Sequence, residues 1–328
     1  MNTSKSGMLR TMLAALAVAA LAGMPAAQAQ TYPSKAVTIV VPTAAGGAND
    51  AMARILAQGL GPRLGKSVIV DNKPGGNGAI ASEAVERAAP DGHTVLFGYI
   101  ATHGINPALQ KLKYDPVADF EAVGMVAESP TLLVVNAALP AKNARELVAL
   151  LKARPGAYSY ASAGNGTAPH IAGEMFKLAT GVDMLHVPYK GSSPGIMDTI
   201  GGTTQLMFPS LFTAYPQVKG GKLRALALAG EKRSAVLKEV PTLAEQGIAN
   251  VNMTQWYALF VPAKTPRAIV ERLNREVNAI LKDKANAKRI EDQGAEVETG
   301  SPEQLQALVK SEVARWKGVI ASAKITAD

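Results

Sequence analysis

The feature that most limits the fold of this chain is a repeated order of β-branched strand, glycine-rich loop and helix. Val37 to Val41 leads into a loop from Pro42 to Asp50, and Ile55, Leu56 and Leu60 then fall on one helix face. Further strands are predicted at residues 67–70, 94–98, 132–136, 158–162, 184–187, 206–208, 223–228 and 253–261. Strands that alternate with helices predict an α/β fold, with mostly parallel sheets that are flanked by helices.

The chain is long enough for two domains, and its composition is that of a packed protein. It has 328 residues, of which 48% are hydrophobic, and this excludes disorder as the main state. The strand–helix order restarts near Leu132 without a flexible linker, which predicts a second lobe. In open α/β sheets, ligands bind outside the carboxyl ends of the strands, where the glycine-rich loops lie here.

The first 29 residues have the layout of a secretory signal peptide. Lys5 and Arg10 give a positive start, an apolar run from Met12 to Met24 follows, and Ala27-Gln28-Ala29 fits a cleavage site. The alternative is an N-terminal membrane anchor, but the run is shorter than the roughly 20 residues that a membrane span needs. The sequence therefore predicts cleavage after Ala29 and a periplasmic protein that begins at residue 30.

Several classes of function conflict with the composition. The absence of cysteine excludes disulfides, thiolate metal sites and a thiol nucleophile. Aromatic residues make up only 5% of the chain, so a surface on which nucleic-acid bases stack is not expected. The formal net charge of +8 is mild, and it favours an anionic ligand more than a nucleic acid.

Two glycine-rich loops are the main candidates for a binding site. The loop from Pro42 to Asp50 and the loop from Ser162 to Thr167 each join a strand to the start of a helix. Glycine lets the backbone approach a ligand, and a helix start supplies free N–H donors and a partial positive charge. Each loop is therefore suited to a carboxylate, although a single loop of this kind is as often a simple turn. Asp50 is expected to cap backbone donors and to fix its loop.

Cofactor and metal sites are weaker interpretations. Gly76, Gly78 and Ala81 match the spacing of a dinucleotide fingerprint, but they follow the wrong strand and lack the acidic partner, so we interpret them as a turn. His170 and Glu174 share a helix face, yet a metal site needs at least one more ligand. We therefore expect no metal and no cofactor, and we expect His170 to form hydrogen bonds in the first helical turn.

An exported hydrolase is the remaining catalytic alternative. Ser162, His170 and Asp198 supply the atoms of a catalytic triad. However, the sequence has no Gly-x-Ser-x-Gly elbow, and Ser162 is at the end of a strand. We therefore expect a protein without enzymatic activity. His186 is expected to be structural, and Trp256 and Tyr257 are expected in the core or at a hinge.

An ordered set of motifs carries a family resemblance over residues 32–325. These motifs are Tyr32-Pro33, Val41-Pro42 with Gly46-Gly47 and Asp50, Val70-Asp71-Asn72-Lys73-Pro74-Gly75-Gly76-Asn77-Gly78, Asn106-Pro107, Tyr114-Asp115-Pro116, Ser162-x-Gly164-Asn165-Gly166-Thr167-x-x-His170, Val187-Pro188-Tyr189-Lys190-Gly191, Gly221-Lys222-Leu223-Arg224-Ala225-Leu226-Ala227, Val240-Pro241-Thr242 and Trp256-Tyr257. In this set the chain resembles the Bug-type solute receptors, the extracytoplasmic binding proteins of tripartite tricarboxylate transporters.

The resemblance implies a type II, Venus-flytrap binding protein that closes two lobes over a ligand. It places crossings between the lobes near residues 129–133 and 254–259. The first lobe would then comprise residues 30–130 and 255–328, and the second lobe residues 131–254. It also implies a monomer that delivers a small organic acid to membrane permease subunits or to a sensor kinase.

The resemblance further implies which residues bind the ligand. They are Thr43, Ala44, Ala45, Gly46, Gly47 and Asp50 in the first loop; Ala101, Thr102 and His103 after the third strand; Ser162, Gly164, Asn165, Gly166 and Thr167 in the second loop, with His170 just after it; and Tyr189, Lys190 and Gly191 in a third loop, residues 188–194, with Asp198 near the pocket.

Two departures from the family pattern affect the expected ligand. Thr43, Ala44 and Ala45 stand where relatives carry an aromatic residue or a second proline, which leaves room for a bulkier or aromatic acid. Pro209 stands where many relatives have an aspartate that would hold an amino group. The sequence thus favours a mono- or dicarboxylate without an ammonium group.

Overall fold

Two mixed β-sheets, each covered by helices, form the two lobes of the protein. The structure is a computed structural model that describes residues 32–323 and 325–326. The predicted signal peptide, with its cleavage site after Ala29, lies outside the described residues. The described strands form one hydrogen-bonded path in the order β2-β1-β3-β9-β4-β7-β5-β6, and β8 and β10 both pair with β4.

The strands are β1 (Val37–Val41), β2 (Val68–Asn72), β3 (Thr94–Tyr99), β4 (Phe120–Asn136), β5 (Ser159–Ser162), β6 (Leu185–Pro188), β7 (Leu206–Met207), β8 (Leu223–Ala229), β9 (Thr254–Pro262) and β10 (Glu296–Val297). The helices are α1 (Ala48–Leu64), α2 (Ala79–Glu86), α3 (Asn106–Leu109), α4 (Ala144–Ala153), α5 (Ala168–Thr180), α6 (Ser192–Gly201), α7 (Leu211–Lys219), α8 (Arg267–Lys282), α9 (Lys284–Glu291) and α10 (Pro302–Ala323).

Strand β4 runs through both lobes without a break. Its first part, up to Pro130, pairs with β9, and its second part, from Thr131, pairs with β8. Proline has no N–H to donate, and Pro130 stands at the residue where the strand exchanges one partner for another. The return crossing lies beside it, because Thr131 N donates to Met253 O at 2.9 Å. We therefore propose that the lobes divide at residues 130/131 and 254/255.

The sheets are more mixed than the sequence predicted. Four of the nine pairings among the described strands are parallel, namely β1–β2, β1–β3, β5–β6 and β5–β7. The other five are antiparallel, and all of them involve β4 or β9. The reason is that β9 returns from the second lobe and enters the first sheet between β3 and β4, in the direction opposite to both. The prediction of mostly parallel sheets is thus correct only away from the two crossing strands.

The C-terminal helices pack on the first lobe. Asn274 of α8 donates through Nδ2 to Val123 O at 2.7 Å. In α10, the buried Glu312 carboxylate accepts hydrogen bonds from the indole N–H groups of Trp256 and Trp316, each at 3.0 Å. Among the described helices, none is long and apolar enough to cross a membrane.

Candidate functional site

Four helix N-termini converge on a small cavity between the lobes, which we call the inner cavity. Helices α1, α5, α6 and α7 each contribute residues at or next to their first turn. The cavity has a volume of about 20 Å³, enough for about one water molecule. Its lining is Thr43, Gly47, Ala48, Asn49, Tyr99, Ala163, Thr167, Pro169, Ser192, Ser210, Thr213, Gln255 and Tyr257. None of these side chains is charged, and each helix N-terminus contributes a partial positive charge to the cavity.

At three of the four helix starts around this cavity, no side chain caps the first backbone N–H groups. The N-cap residues Gly47, Thr167 and Gly191 make no side-chain capping bond, whereas the Ser210 side chain accepts from Thr213 N. Backbone N–H groups in the first turn of a helix have no partner within that helix. Three uncapped starts that face one cavity form an arrangement that suits an anion.

Two buried polar atoms at the inner cavity have no hydrogen-bond partner within the described part of the chain. They are Asn49 Nδ2, on a side chain that is only 5% exposed, and Thr43 Oγ1. A buried amide without a partner costs about 1–3 kcal/mol, so such groups are normally paired. Asn49 is therefore a donor that is ready for an acceptor on a bound molecule.

The first glycine-rich loop is fixed by Asp50, as the sequence predicted. Asp50 Oδ2 accepts from Gly46 N at 3.0 Å, and the carboxylate also pairs with Arg54 of the next turn. Burial raises the pKa of Asp50, but the hydrogen bonds from Arg54 and Gly46 outweigh it and hold this pKa below its usual value. From the neighbouring strand, Asn72 Nδ2 donates to Thr43 O at 3.0 Å.

We expect Asp50→Ala to lower the free energy of unfolding by about 1–3 kcal/mol, because it leaves the N–H of Gly46 without its acceptor. Arg54→Ala is the matched control. It removes only the half-exposed partner and should cost no more than about 1 kcal/mol. Urea denaturation of both variants measures the difference. Equal losses would show that the ion pair, and not the bond to the loop, stabilises this region.

The second glycine-rich loop uses most of its own donors. Gly164 N donates to Ser162 Oγ at 3.0 Å, and Gly166 N donates to His170 Nδ1 at 3.1 Å. The Thr167 hydroxyl donates to Gly164 O at 2.6 Å. The loop is therefore held by internal hydrogen bonds, and its amides at Gly164 and Gly166 are not free for a ligand.

A larger cleft of about 530 Å³ continues from the inner cavity along the gap between the lobes. It shares Thr43, Tyr99, Ala163 and Thr167 with the inner cavity. Its remaining lining is Pro42, Pro74, Gly75, Gly76, Asn77, Gly78, Ile80, Asn106, Leu109, Gln110, Gly164, Asn165, Gly166, Tyr189 and Lys190. Lys190 is the one charged side chain in this lining, so the cleft has no acidic group to pair with a cation.

The lobes touch at both sides of this cleft. A β-carbon placed on Gly166 would lie 2.9 Å from Asn77 Nδ2 in the first lobe. A β-carbon on Gly191 would lie 3.3 Å from Ala44 Cβ, and one on Gly46 would lie 3.3 Å from Ser193 Oγ. The lobes are therefore in contact at these glycines, as in a closed form.

The structure brings many of the predicted site residues together. The inner cavity is lined by Thr43, Gly47 and Thr167, and the larger cleft by Gly164, Asn165, Gly166, Tyr189 and Lys190. Ala44, Gly46 and Gly191 form the contacts between the lobes. Asp50, Ser162 and His170 accept hydrogen bonds from backbone N–H groups of the loops. Asp198 accepts from the Tyr189 hydroxyl at 2.6 Å. Ala45 is exposed and lines neither space.

Ala101, Thr102 and His103 are corrected, because they lie inside the first lobe. They belong to a wide helical turn, Ala101–Ile105, and are fully buried. His103 stacks on Phe260 with 3.9 Å between ring centroids. Thr102 Oγ1 lies 3.0 Å from Tyr99 O and 2.8 Å from His103 Nδ1, within hydrogen-bond distance of both. The wide turn rotates these side chains away from the gap and leaves Tyr99 to face it.

Among the described residues, the predicted catalytic triad and the predicted metal site are not formed. Ser162 is fully buried and its Oγ lies 2.6 Å from His186 Nε2, while Asp198 accepts from the Tyr189 hydroxyl. Glu174, the predicted metal partner of His170, instead accepts from the Tyr160 hydroxyl at 2.6 Å and from Lys177.

Sequence reasoning missed part of the lining. Asn49, Ser192, Ser210, Thr213 and Gln255 line the inner cavity, as does Tyr257, which was expected in the core or at a hinge. A serine directly before or within the first turn of a helix is a signal that would have pointed to Ser192 and Ser210. Trp256 is buried in the core, as expected.

The chain is similar to known proteins over most of its length. Residues 52–325 match the model of a family described as the tripartite tricarboxylate transporter family receptor, TctC. The chain is 34% identical over 305 residues to the protein BugT of Bordetella pertussis, a match that covers 92% of this chain and 93% of BugT.

Two solved structures are also similar. One is R. palustris Rpa4515 with adipate, with a TM-score of 0.87, 35% identity and coverage of 90% of this chain and 99% of that one. The other is MatC (Rpa3494) from Rhodopseudomonas palustris with bound malate, with a TM-score of 0.85, 33% identity and coverage of 88% and 100%.

Proposed function

Because the chain belongs to the tripartite tricarboxylate transporter receptor family, we propose that it captures a small organic carboxylate between its lobes and delivers it to a membrane transporter of that class. The members of this family are periplasmic binding proteins, so the protein works outside the cytoplasm. The signal peptide at residues 1–29, with cleavage after Ala29, is part of this proposal. The mechanism is recognition and release, without catalysis and without a cofactor.

The observation that carries the proposal is the inner cavity, where a buried Asn49 amide and three uncapped helix starts meet. A carboxylate oxygen placed there accepts from Asn49 Nδ2 and from first-turn backbone donors, while the rest of the acid occupies the adjoining larger cleft. Because the donors come from both lobes, the anion stabilises the closed form more than the open form. This differential affinity is what a ligand needs in order to drive closure.

The lining also indicates which acids are excluded. Neither the inner cavity nor the larger cleft carries an Asp or Glu side chain among its described residues. An ammonium group that enters this space loses its water without gaining a partner charge. We therefore expect carboxylates without an amino group to bind more tightly than the corresponding amino acids.

A thermal-shift screen of the purified protein tests the proposal. We expect a clear rise in melting temperature with one group of organic acids, because a ligand at a hundred times its Kd stabilises the folded state by about 2.7 kcal/mol. Asn49→Ala should weaken binding of the best acid by about tenfold, since the donor at the anion is lost. Gln58→Ala is the matched control, because Gln58 is exposed on the same helix. A shift with amides or amines alone would contradict the carboxylate proposal.

A further inference from the structure

Two stacked histidine rings lie directly behind the second glycine-rich loop. The rings of His170 and His186 are 4.2 Å apart between centroids and 23° from parallel. His170 Nδ1 accepts the N–H of Gly166 at 3.1 Å. His186 Nε2 lies 2.6 Å from Ser162 Oγ, which in turn accepts the N–H of Gly164. Each ring therefore holds one glycine amide of the loop, directly or through Ser162.

We propose that His170 is a positioning residue of the ligand site: its unprotonated Nδ1 holds Gly166 in the shape that lobe closure requires, so that protonation of His170 weakens ligand binding. This inference rests on the proposed function for its effect on affinity. Its structural part, the link between His170 and Gly166, is testable without any ligand.

Gly166 is the residue through which this hydrogen bond affects closure. It has a φ of +75°, and it faces Asn77 and Leu109 across the gap between the lobes. Asn77 is itself held in place, because its side-chain amide donates to Asn106 Oδ1 at 2.5 Å and its Oδ1 accepts from the Tyr99 hydroxyl. Because Asn77 is held in place, a shift of the Gly166 backbone disturbs the contact between the lobes in the closed form.

The hydrogen bond from Gly166 sets the tautomer of His170. An N–H donor requires an unprotonated acceptor, so the neutral ring carries its proton on Nε2. When His170 becomes doubly protonated, an N–H on Nδ1 faces the N–H of Gly166 and the bond is lost. The buried amide is then left without a partner.

The charged and titratable groups around His170 come from three elements. On its own helix, Glu174 favours the protonated ring and Lys177 opposes it. Strand β6 supplies His186, and strand β5 supplies Tyr160, whose hydroxyl donates to Glu174. Burial dominates, and it lowers the pKa of His170 below its usual value. The ring is thus neutral at pH 7.5, and the effect falls in the acidic range below pH 6.5.

His186 provides a contrast within the same stack. When its ring is protonated, Nε2–H donates to Ser162 Oγ, because a hydroxyl oxygen has lone pairs for both this bond and the bond from Gly164. Its protonation leaves the acceptor of the glycine amide in place. The proposal therefore assigns the effect on Gly166 to His170 alone.

The first test follows the amide of Gly166 by ¹⁵N NMR in the ligand-free protein between pH 7.5 and 5.0. We expect its chemical shift to titrate together with the ring signals of His170. We also expect its protection factor, which compares the measured exchange rate with that of an unstructured amide at the same pH, to decrease as the pH falls. In His170→Gln, whose side-chain oxygen still accepts, the amide should stay protected and should not titrate. In His170→Leu it should be unprotected at every pH. A Gly166 amide that does not respond to the titration of His170 overturns the inference.

The second test measures the Kd for adipate by calorimetry at pH 7.5 and 5.0. Because the acid itself titrates, the measured quantity is the ratio of Kd values between the wild type and His170→Gln at each pH. We expect this ratio to rise as the pH falls, by at least about fivefold at a pH where the His170 ring signals show protonation. His186→Gln is the matched control and should keep the pH dependence of the wild type. A ratio that does not change with pH overturns the link to affinity.

Failure of the proposed function and failure of the inference about His170 give different results. If the wild type binds neither adipate nor any acid of the screen, the proposed function fails, and the Gly166 amide still decides whether His170 positions the loop. If acids bind but the Gly166 amide does not respond to the titration of His170, the inference fails and the proposed function stands.

Discussion

Gly166→Val is expected to weaken ligand binding by about one to two orders of magnitude while leaving the protein folded. A β-carbon at this position would lie 2.9 Å from both Asn77 Nδ2 and Leu109 Cδ1 across the gap between the lobes. Overpacking a close contact of this kind costs about 1–3 kcal/mol. In the open form the two surfaces are apart and the cost vanishes, so the substitution shifts the equilibrium toward the open form. The Kd for the best acid of the screen measures the loss.

A second glycine separates this effect from backbone strain. Gly181 has a similar backbone, with a φ of +67°, but a β-carbon there would have no heavy atom within 4 Å. Gly181→Val therefore carries the strain of a left-handed backbone without a clash between the lobes. We expect it to lower stability but not affinity, and small-angle scattering should show that Gly166→Val alone stays open with ligand present. Equal affinity losses in both variants would contradict the role of Gly166 in closure.

The free energy of unfolding is expected to fall by at least about 3 kcal/mol between pH 6 and pH 4.5. Burial lowers the pKa of His103 to about 3 and that of His186 to about 4, below the value of about 6.5 in an unfolded chain. Between those values the unfolded state binds more protons than the folded state, so stability decreases as the pH falls. Each such histidine contributes about 1.4 kcal/mol per pH unit.

Asp50 and Glu128 do not account for this loss. The pKa of Asp50 is lowered, so its contribution disappears only below about pH 4, outside this window. Burial raises the pKa of Glu128, so that group acts in the opposite direction. Urea denaturation of His103→Leu and His186→Gln measures the slope of stability against pH. Each variant should reduce the slope by about 1.4 kcal/mol per pH unit, and an unchanged slope in both would refute the explanation.

The strands and glycine-rich loops could be predicted from the sequence because their signals are local. The β-branched run at residues 37–41, the loop that follows it and the cap by Asp50 depend on residues within a few positions of one another. The same holds for the long strand predicted near residues 253–261, which the structure gives as Thr254–Pro262. The family also follows from the sequence, because the order of its motifs is written along the chain.

The pairing of the strands was less predictable. The first half of β4 contains Gly124 and Pro130, which disfavour a strand locally, and the sequence predicted only its last five residues. Its continuity depends on the hydrogen bonds to β9, whose partner residues lie more than a hundred positions away. The antiparallel direction of β9 follows from its return path between the lobes, which local patterns do not encode.

The sequence alone determined that this chain alternates strands and helices, that glycine-rich loops precede its helices, and that it belongs among the receptors that its motifs resemble. Only the tertiary structure decided that four helix starts meet at one cavity, that Asn49 faces that cavity, and that His103 is turned into the core. The physical reason is the sequence separation between the groups that interact. Backbone conformation follows from neighbouring residues, whereas a binding site is made from groups that are distant in sequence and are brought together by packing between the lobes.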